Sequence, residues 1–161
     1  MANSNGSSDD ASTVTIRPAS DGDLDALLPL LRGYCEFYEA EPPDDGLLEM
    51  CRALIVAPDH EGMLLVAEGA DGAVAGFAAV GWKWSSLKAA RVAVMEDLFV
   101  AEHARSAGIG VALIGACADR ARELGAAALE WVTATDNHRA QAAYAKAGGS
   151  GDEFLIYELR L

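Results

Sequence analysis

The chain has 161 residues and a strongly acidic composition, with 12 Lys and Arg against 25 Asp and Glu and a formal net charge of -13 at pH 7. Its length suits one domain with a full core, and its 52% hydrophobic content indicates a globular protein rather than a disordered one. A surface this acidic repels nucleic acid and anionic membranes and attracts small cations, although the charge could also serve only solubility. We therefore expect a small-molecule partner and neither nucleic acid nor membrane.

Cysteine usage and the first residues bear on location and domain organisation. Cys35, Cys51 and Cys117 are odd in number, scattered and not near paired histidines, which indicates neither a disulfide framework nor a metal site. Residues 1–13 lack the basic start and apolar core of a signal peptide, and we expect them to form a flexible tail. No apolar run is long enough to cross a bilayer. The sequence thus predicts a cytoplasmic protein with one folded domain over residues 14–161 and no metal.

The first part of the chain reads as strand, two helices and three further strands. "TVTIRP" alternates as a strand, and a helix follows with Ser20 as its N-cap and Asp23 completing a variant capping box. Apolar residues recur at helical spacing from Leu24 to Tyr38, and "LLEMCRALIV" predicts a second, shorter helix after "EAEPPDDG". The segments "GMLLVAE", "GAVAGFAAVGW" and "RVAVMEDLFV" are separated by turn residues and predict an antiparallel meander.

The second part of the chain alternates helix and strand. After Val100 the apolar period becomes helical as far as Leu124, and "AALEWVTA" then predicts another strand. "NHRAQAAYAKAGG" predicts a helix ended by glycine, and "DEFLIYELRL" predicts a last alternating strand. This order predicts the α/β (α+β) class, with helices on both faces of a central mixed sheet.

The segment "RSAGIG" at residues 105–110 stands between a predicted strand and a predicted helix. A helix N-terminus can hold an anion, and Gly108 and Gly110 would let a phosphate approach the backbone closely. A Walker A loop is excluded because valine and alanine, not lysine and serine or threonine, follow the last glycine. A dinucleotide-binding fingerprint is disfavoured because Leu113 replaces its third glycine and the loop lies late in the chain. A tight turn without a ligand is the remaining alternative.

Two motifs resemble the GNAT superfamily of N-acetyltransferases. Arg105 to Gly110 matches Arg/Gln-x-x-Gly-x-Gly/Ala, the pyrophosphate loop of that family, and Asn137 to Tyr144 is similar to its Asn-x-x-Ala-x-x-x-Tyr helix. "MEDLFV", "RSAGIG" and "EWVTATDN…Y" look like the spermidine/spermine and histone-type acetyltransferase branches. The resemblance covers residues 14–161 and implies the GNAT fold, a mostly antiparallel sheet of six to seven strands with about four helices. It also implies a homodimeric, acetyl-CoA-dependent enzyme.

By the same resemblance, acetyl-CoA would lie along one strand and one loop. The backbone of Leu98, Phe99 and Val100 would pair with the pantetheine arm as if the arm were another strand. The pyrophosphate would bind backbone amides of the loop, and the Arg105 side chain could add charge or remain solvated. The loop residues concerned are Arg105, Ser106, Ala107, Gly108, Ile109, Gly110 and Val111. On physical grounds, the Asn137 side chain is expected to cap its helix. In the family, the Asn and Ala positions of the Asn-x-x-Ala motif, Asn137 and Ala140 here, contact pantetheine.

The chemistry of amine acetylation needs a base for the ammonium and an acid for the thiolate. Tyr144 is the expected general acid, since a phenol can protonate the leaving thiolate, with a core tyrosine as the alternative. Glu96 matches the carboxylate suspected as base in the polyamine branch, and Asp97 could bind the cation. Neighbouring strand residues point to opposite faces, so both acids can enter the cleft only if a bulge intervenes, as is common in this family. A solvated pair of acids is the alternative.

Aromatic and acidic residues are further candidates for the acceptor site. Trp82 and Trp84 could wall an acceptor pocket by cation–π contact with an amine, or could simply pack. Acids cluster where the first helix turns into the second, the usual acceptor loop of the family, and they would suit a cationic substrate or form a solvated face: Glu36, Glu39, Glu41, Asp44 and Asp45. Gly148 and Gly149 stand where the family usually has Gly-Phe, which removes an aromatic plug and leaves the packing of the final strand open.

Together these observations predict an N-acetyltransferase that moves an acetyl group from acetyl-CoA to a primary amine of a small cationic acceptor by direct attack. The acceptor would be polyamine-like or amino-acid-like, and a protein lysine or an aminoglycoside is the alternative. A non-catalytic acyl-CoA-binding sensor is a rival of another class. The presence of both Tyr144 and Glu96 argues against that rival.

Overall fold

The computed structural model describes residues 14–105 and 107–159. Two short 3-10 helices, Asp21–Asp23 and Glu102–Ala104, accompany the regular elements. In chain order these elements are β1 (Thr15–Pro18), α1 (Leu24–Phe37), α2 (Asp44–Val56), β2 (Gly62–Glu68), β3 (Val74–Ser85), β4 (Ala90–Val100), α3 (Ile109–Glu123), β5 (Leu129–Glu130) and α4 (His138–Lys146). The predicted flexible tail, residues 1–13, lies outside the described part of the chain. Among the described residues, no helix is long and apolar enough to cross a membrane.

The strands form one sheet in the order β1-β2-β3-β4-β5. The first four strands are antiparallel neighbours, and β5 runs parallel to β4. The predicted mixed sheet with four helices is therefore confirmed, with five strands in place of the expected six to seven. The predicted last strand is the difference, because residues 151–159 have no regular structure and residues 160 and 161 lie outside the described range.

Two cores lie on opposite faces of the sheet because successive strand residues point in opposite directions. On one face, Leu65, Val80 and Met95 pack with residues of α3 that include Leu113 and Cys117. On the other face, buried residues of the strands pack with residues of α1 and α2. This second core contains Leu64, Val66, Phe77 and Ala79 of the sheet with Leu27, Leu31 and Cys51 of the helices.

The start of α1 is fixed by an ionic cluster around Arg17. The Ser20 backbone N–H donates to the Asp23 carboxylate at 2.8 Å, which confirms the predicted capping box in a 3-10 turn that precedes α1. Arg17 pairs with Asp23 at 2.7 Å and also binds Glu68 on β2. Asp23 is only 7% exposed, and its hydrogen bonds from Arg17 hold its pKa well below the usual range. The cluster therefore joins β1, β2 and the start of α1.

Candidate active site

The strands β4 and β5 separate after a single short stretch of pairing. Ala93 pairs with Leu129 and Val94 with Glu130, whereas β4 continues along β3 as far as Val100. Within the described chain, the backbone of residues 95–100 thus has a strand neighbour only on its β3 side. An open edge of this kind can accept a linear chain carrying amide groups through the hydrogen bonds that a further strand would make. The expected pantetheine-binding residues, Leu98, Phe99 and Val100, lie on this edge.

The glycine loop and the start of α3 follow directly after this edge. Gly108 is the N-cap of α3 and has a φ of 77°, a left-handed conformation that favours glycine. A Cβ atom built on Gly108 would meet no atom within 4 Å, so the backbone there is open to an approaching group. The first N–H groups of α3, from Ile109 to Val111, have no partner within the helix, and they suit an anion. Ser106 lies outside the described residues.

Arg105 joins the loop to the open edge. Its Nε donates to the Val100 carbonyl at 3.0 Å, and its guanidinium lies 5.6 Å from the centre of the Phe99 ring. The side chain is exposed, so its charge remains available to a ligand at the loop. Arg105 therefore links the loop expected to hold the pyrophosphate to the edge expected to hold the pantetheine arm.

A β-bulge in β4 brings Glu96 and Asp97 to the same face of the sheet. Met95 pairs with Val80 and Asp97 with Ala79, so Glu96 is the extra residue of a bulge of the kind that the resemblance implied. Asp97 therefore shares the face of Ala79, which belongs to the core beneath α1 and α2. Glu96 points the same way, since a Cβ atom built on Gly81 would lie 4.0 Å from its Oε1. The two carboxylates thus enter one side of the sheet at the point where β4 and β5 diverge.

Asp97 lies beneath Tyr34, a residue of α1 that sequence reasoning assigned only to a buried face. Burial raises the pKa of Asp97 above its ordinary value, and the nearby Tyr34 hydroxyl opposes that rise. The same hydroxyl donates to the Glu96 carbonyl at 3.3 Å. Burial, followed by the charge of Asp97, also raises the pKa of Tyr34, so its phenol stays protonated. Tyr34 therefore contacts both residues of the bulge.

Tyr144 lies on α4, on the far side of the diverging strands. Its ring contacts Trp131 edge-on at 5.4 Å, and its hydroxyl interacts with Thr133. Burial raises its pKa, which keeps the phenol protonated at neutral pH. Tyr38 raises the pKa of both Tyr34 and Tyr144, so it lies within electrostatic range of the two. Tyr144 is thereby linked electrostatically to the α1 side of the site.

The start of α4 behaves as its sequence predicts. The Asn137 side chain accepts a hydrogen bond from the backbone N–H of Ala140 at 3.2 Å, which confirms the helix cap. The cap holds both positions of the Asn-x-x-Ala motif in place.

The two tryptophans do not lie with the carboxylates. Trp82 shares the sheet face of Val80, on the α3 side, where its Nε1 donates to the Pro58 carbonyl at 2.8 Å. Its ring already faces a cation, because the Arg91 guanidinium lies 4.3 Å from the ring centre. Trp84 is 80% exposed near the end of β3. The alternation along β3 therefore places both residues on the sheet face opposite Asp97, and their role in an acceptor pocket stays a prediction.

The acids between α1 and α2 border a cavity of about 510 Å³. Its lining includes three carboxylates and one arginine, which pairs with Asp44: Arg32, Cys35, Glu36, Glu39, Ala40, Glu41, Pro42 and Leu47. The negative excess in this lining would favour a cationic occupant. Among the described residues, no cluster of His, Cys, Asp and Glu could hold a metal ion.

The chain is similar in sequence to known acetyltransferases. The sequence profile of the acetyltransferase (GNAT) family matches residues 24–149. YhfO of Bacillus subtilis, an uncharacterised N-acetyltransferase, is 32% identical over 144 residues, 89% of this chain and 95% of that protein. HPA3 of Saccharomyces cerevisiae, a D-amino-acid N-acetyltransferase, is 47% identical over 64 residues, 40% of each protein.

A solved structure gives the same result for the fold. The aminoglycoside N-acetyltransferase AAC(6')-Iy, in complex with a bisubstrate analogue of CoA and acetylneamine, superposes with a TM-score of 0.81. The match covers 93% of this chain and 99% of that chain at 23% sequence identity. At this identity the likeness establishes the fold and nothing finer.

Proposed function

Because the chain belongs to the acetyltransferase (GNAT) family and is an acetyl-CoA-dependent N-acetyltransferase, we propose that it acetylates a primary amine on a small cationic acceptor. One observation carries this proposal: the bulge that brings Glu96 and Asp97 to one face at the open edge of β4. An amine that approached this edge would meet two carboxylates before it met the acyl group.

The site fits acetyl-CoA, which supplies an acetyl group activated as a thioester. The open backbone of residues 95–100 suits the amides of its pantetheine arm, and the free N–H groups after Gly108 suit its pyrophosphate. Arg105 would add positive charge beside the phosphates, and Asn137 would hold the start of α4 against the arm.

The two carboxylates differ in exposure, and we assign them different roles. Glu96 is exposed and can accept a proton from the incoming ammonium, directly or through water. Asp97 is more buried and interacts with Tyr34, so it is suited to bind the cation in a fixed place. An alkylamine is protonated at neutral pH and must lose that proton before it can attack.

Tyr144 is the proposed general acid. Its phenol is kept protonated by burial and is oriented by Thr133 and Trp131. Its Oη would donate a proton, or a hydrogen bond, to the sulfur atom as negative charge develops there. Direct attack of the amine on the thioester then needs no covalent intermediate on the protein.

The charge of the protein and its similarity to known acetyltransferases support the proposed class of acceptor. The net charge of -13 and the acidic cavity beside α1 favour a cationic amine. The match to HPA3 supports an amino-acid-like acceptor, and a polyamine-like acceptor of the spermidine/spermine or histone-type branch belongs to the same proposal. An aminoglycoside is the second candidate, because it too is a cationic amine that suits the acidic cavity. We further propose a cytoplasmic homodimer, in keeping with three unpaired cysteines.

An amine panel tests the proposal. The purified protein is given acetyl-CoA with polyamines, amino acids, aminoglycosides or lysine peptides, and released thiol is measured. We expect turnover with small cationic amines and none with the matched N-acetylated compounds. Titration calorimetry with acetyl-CoA, CoA and NAD supplies the control, and binding of NAD in preference to CoA would contradict the assignment. CoA binding without turnover of any amine would instead favour a sensor.

A further inference from the structure

Glu96 is the extra residue of the β4 bulge, and in the described part of the chain it has no partner residue on a neighbouring strand. The pairing with β3 passes from Met95 to Asp97, and the pairing with β5 ends at Val94. The extra residue of a bulge is left out of the regular ladder, so the sheet does little to fix its peptide group. The Glu96 carboxylate therefore has a defined direction only if another group holds that peptide.

A side chain of α1 holds this peptide. The Tyr34 Oη donates a hydrogen bond to the Glu96 carbonyl at 3.3 Å, so the bulge is tied to the helix above it. The same hydroxyl lies close enough to the Asp97 carboxylate for each group to change the pKa of the other. One phenol thus interacts with both residues that bring carboxylates to this face of the sheet.

The position of the Tyr34 ring is fixed by close packing between α1 and the sheet. A Cβ atom on Gly33 would lie 2.9 Å from the Phe99 ring, so a larger residue there would force the ring or the helix to move. The Tyr34 ring meets Phe77 at 6.2 Å and Phe99 at 6.5 Å, edge-on in both cases. Phe77 is fully buried. The core therefore holds the ring in place, and the ring carries its hydroxyl to the bulge.

The groups around Asp97 show what else the hydroxyl does. Two titratable side chains of the packed helices interact with Asp97, Tyr34 on α1 and Cys51 on α2, and the neighbouring Glu96 is exposed. Burial, followed by the charge of Asp97, raises the pKa of the Cys51 thiol, which stays neutral at pH 7. None of the ion pairs found in the described residues includes Asp97. Among these neighbours, the Tyr34 hydroxyl is the group that lowers the pKa of Asp97.

We propose that Tyr34 is a positioning residue for acetylation, whose hydroxyl holds the Glu96 peptide and so directs the Glu96 carboxylate toward an amine bound beside Asp97. The inference rests on the proposed function, in which Glu96 takes the proton of the ammonium. A general base must lie within hydrogen-bond reach of the proton that it removes, and a small displacement of it is costly. Tyr34 acts through the bulge and does not itself take part in the transfer of the acetyl group.

Tyr34→Phe tests the proposal because it keeps the ring contacts and removes only the hydroxyl. We expect kcat/KM for the amine to fall on the order of tenfold, whereas the Kd for acetyl-CoA and the Tm should stay close to the wild-type values. In a Glu96→Gln background the same change should cost less than about twofold, because no base is left to position. Tyr157→Phe, which removes the phenol of an exposed tyrosine outside the site, is the control and should change none of these quantities.

The pH profile of kcat/KM adds a readout that a purely structural role would not move. Without the Tyr34 hydroxyl the pKa of Asp97 should rise, so the acid limb of the profile should move to higher pH. An unmoved limb would overturn the proposal. So would a kcat/KM of Tyr34→Phe within about twofold of the wild type, or an equal loss in the presence and absence of Glu96.

Hydrogen exchange on the protein without substrate tests the contact itself. In Tyr34→Phe the amides of residues 96 and 97 should exchange about fivefold faster, while the amides between β2 and β3 should keep their wild-type rates. Unchanged exchange at the bulge would overturn the proposal even if activity fell. A Glu96→Gln variant as active as the wild type would overturn the proposed base and this positioning role together. A strong loss in Glu96→Gln with full activity in Tyr34→Phe would overturn the role of Tyr34 and leave the proposed function standing.

Discussion

The meander β1–β4 is far more extensively paired and packed than the part of the chain from β5 onward. The meander has continuous pairing, two cores and the Arg17 cluster that joins its first two strands to α1. The later part has a two-residue strand, a nine-residue helix with no buried residue, and an exposed C-terminal segment. The proposed site lies where the two meet. The difference teaches that the open edge of β4 exists because its pairing with β5 stops, and that in the proposed site the meander supplies the two carboxylates while the later part supplies Tyr144.

Tyr144→Phe tests most directly whether the part of the chain from β5 onward supplies the general acid. The change keeps the ring against Trp131 and removes the hydroxyl that interacts with Thr133. If the phenol protonates the leaving thiolate, kcat should fall by roughly 100-fold, whereas the Kd for acetyl-CoA should stay near the wild-type value. Both are measured on one folded preparation, with pre-steady-state kinetics to show that chemistry limits the rate. A kcat within about threefold of wild type would make Tyr144 a packing residue.

Gly108→Val tests the loop at the junction. Valine is strained at a φ of 77°, so the loop and the first turn of α3 should shift, and CoA should bind at least about tenfold more weakly. Gly115→Ala is the matched control, because this glycine is inside α3, is exposed and has open space around it. Calorimetry with CoA measures both variants. Unchanged affinity in a folded Gly108→Val protein would refute the loop assignment.

The carboxylates of Asp23, which is buried in the rigid frame, and of Asp97, which is half-buried in the proposed site, should affect stability in opposite ways as the pH changes. The pKa of Asp23 is lowered by Arg17, so its contribution to stability is present at neutral pH and is lost as the pH falls. The pKa of Asp97 is raised by burial, so its ionisation costs stability as the pH rises above the ordinary carboxyl range. Asp23→Asn should therefore lower the free energy of unfolding at pH 7 by roughly 2 kcal/mol, and Asp97→Asn should raise it.

The two carboxylate variants are compared by urea unfolding at pH 7 and near pH 4. The Asp97→Asn difference should shrink at the lower pH, where Asp97 of the wild type becomes protonated, whereas most of the Asp23→Asn difference should remain, because the pKa of Asp23 lies well below the usual range. If Asp97→Asn destabilises the protein at pH 7 as Asp23→Asn does, Asp97 is a structural anchor rather than a cation site held ready in the fold.

A change in ionic strength should have the smallest effect of these tests, a few-fold change in the KM for the acceptor. Acids line the cavity beside α1, and the whole chain is strongly negative, so the KM for a cationic acceptor should rise as salt screens the attraction. A neutral acceptor of similar size provides the control and should show little change. If the KM for the cationic acceptor did not change with salt, the net charge of the protein would play no part in recognising the acceptor.

Sequence reasoning succeeded where a pattern is local or a motif is specific. The capping box at Ser20, the Asn137 cap and the β4 bulge are all present. It could not place Trp82, since the sheet face of a tryptophan depends on the strand register around Val80. It also missed Tyr34, because helical spacing shows that a residue is buried but not which carboxylate its hydroxyl meets.

The last strand was predicted from a sound alternating pattern and is irregular in the single chain. Pattern alone identifies a segment that can be a strand, whereas a strand exists only where a neighbour accepts its hydrogen bonds. Gly149 in place of an aromatic residue was the sequence signal that packing there would differ. The structure shows the reason, because the Trp131 side chain occupies the space beside that glycine.

If acetyl-CoA binds along the open edge at residues 95–100 as proposed, its binding is coupled to folding. A donor substrate that binds as an added strand binds the folded chain and not the unfolded one, so it stabilises by mass action, by about 2.7 kcal/mol at one hundred times its Kd. The amides of that edge should exchange with deuterium far more slowly in its presence, while the amides between β2 and β3 should hardly change. Turnover of the protein would then follow the combined supply of CoA and its thioesters: a shortage of both would leave the enzyme less stable and more exposed to proteolysis.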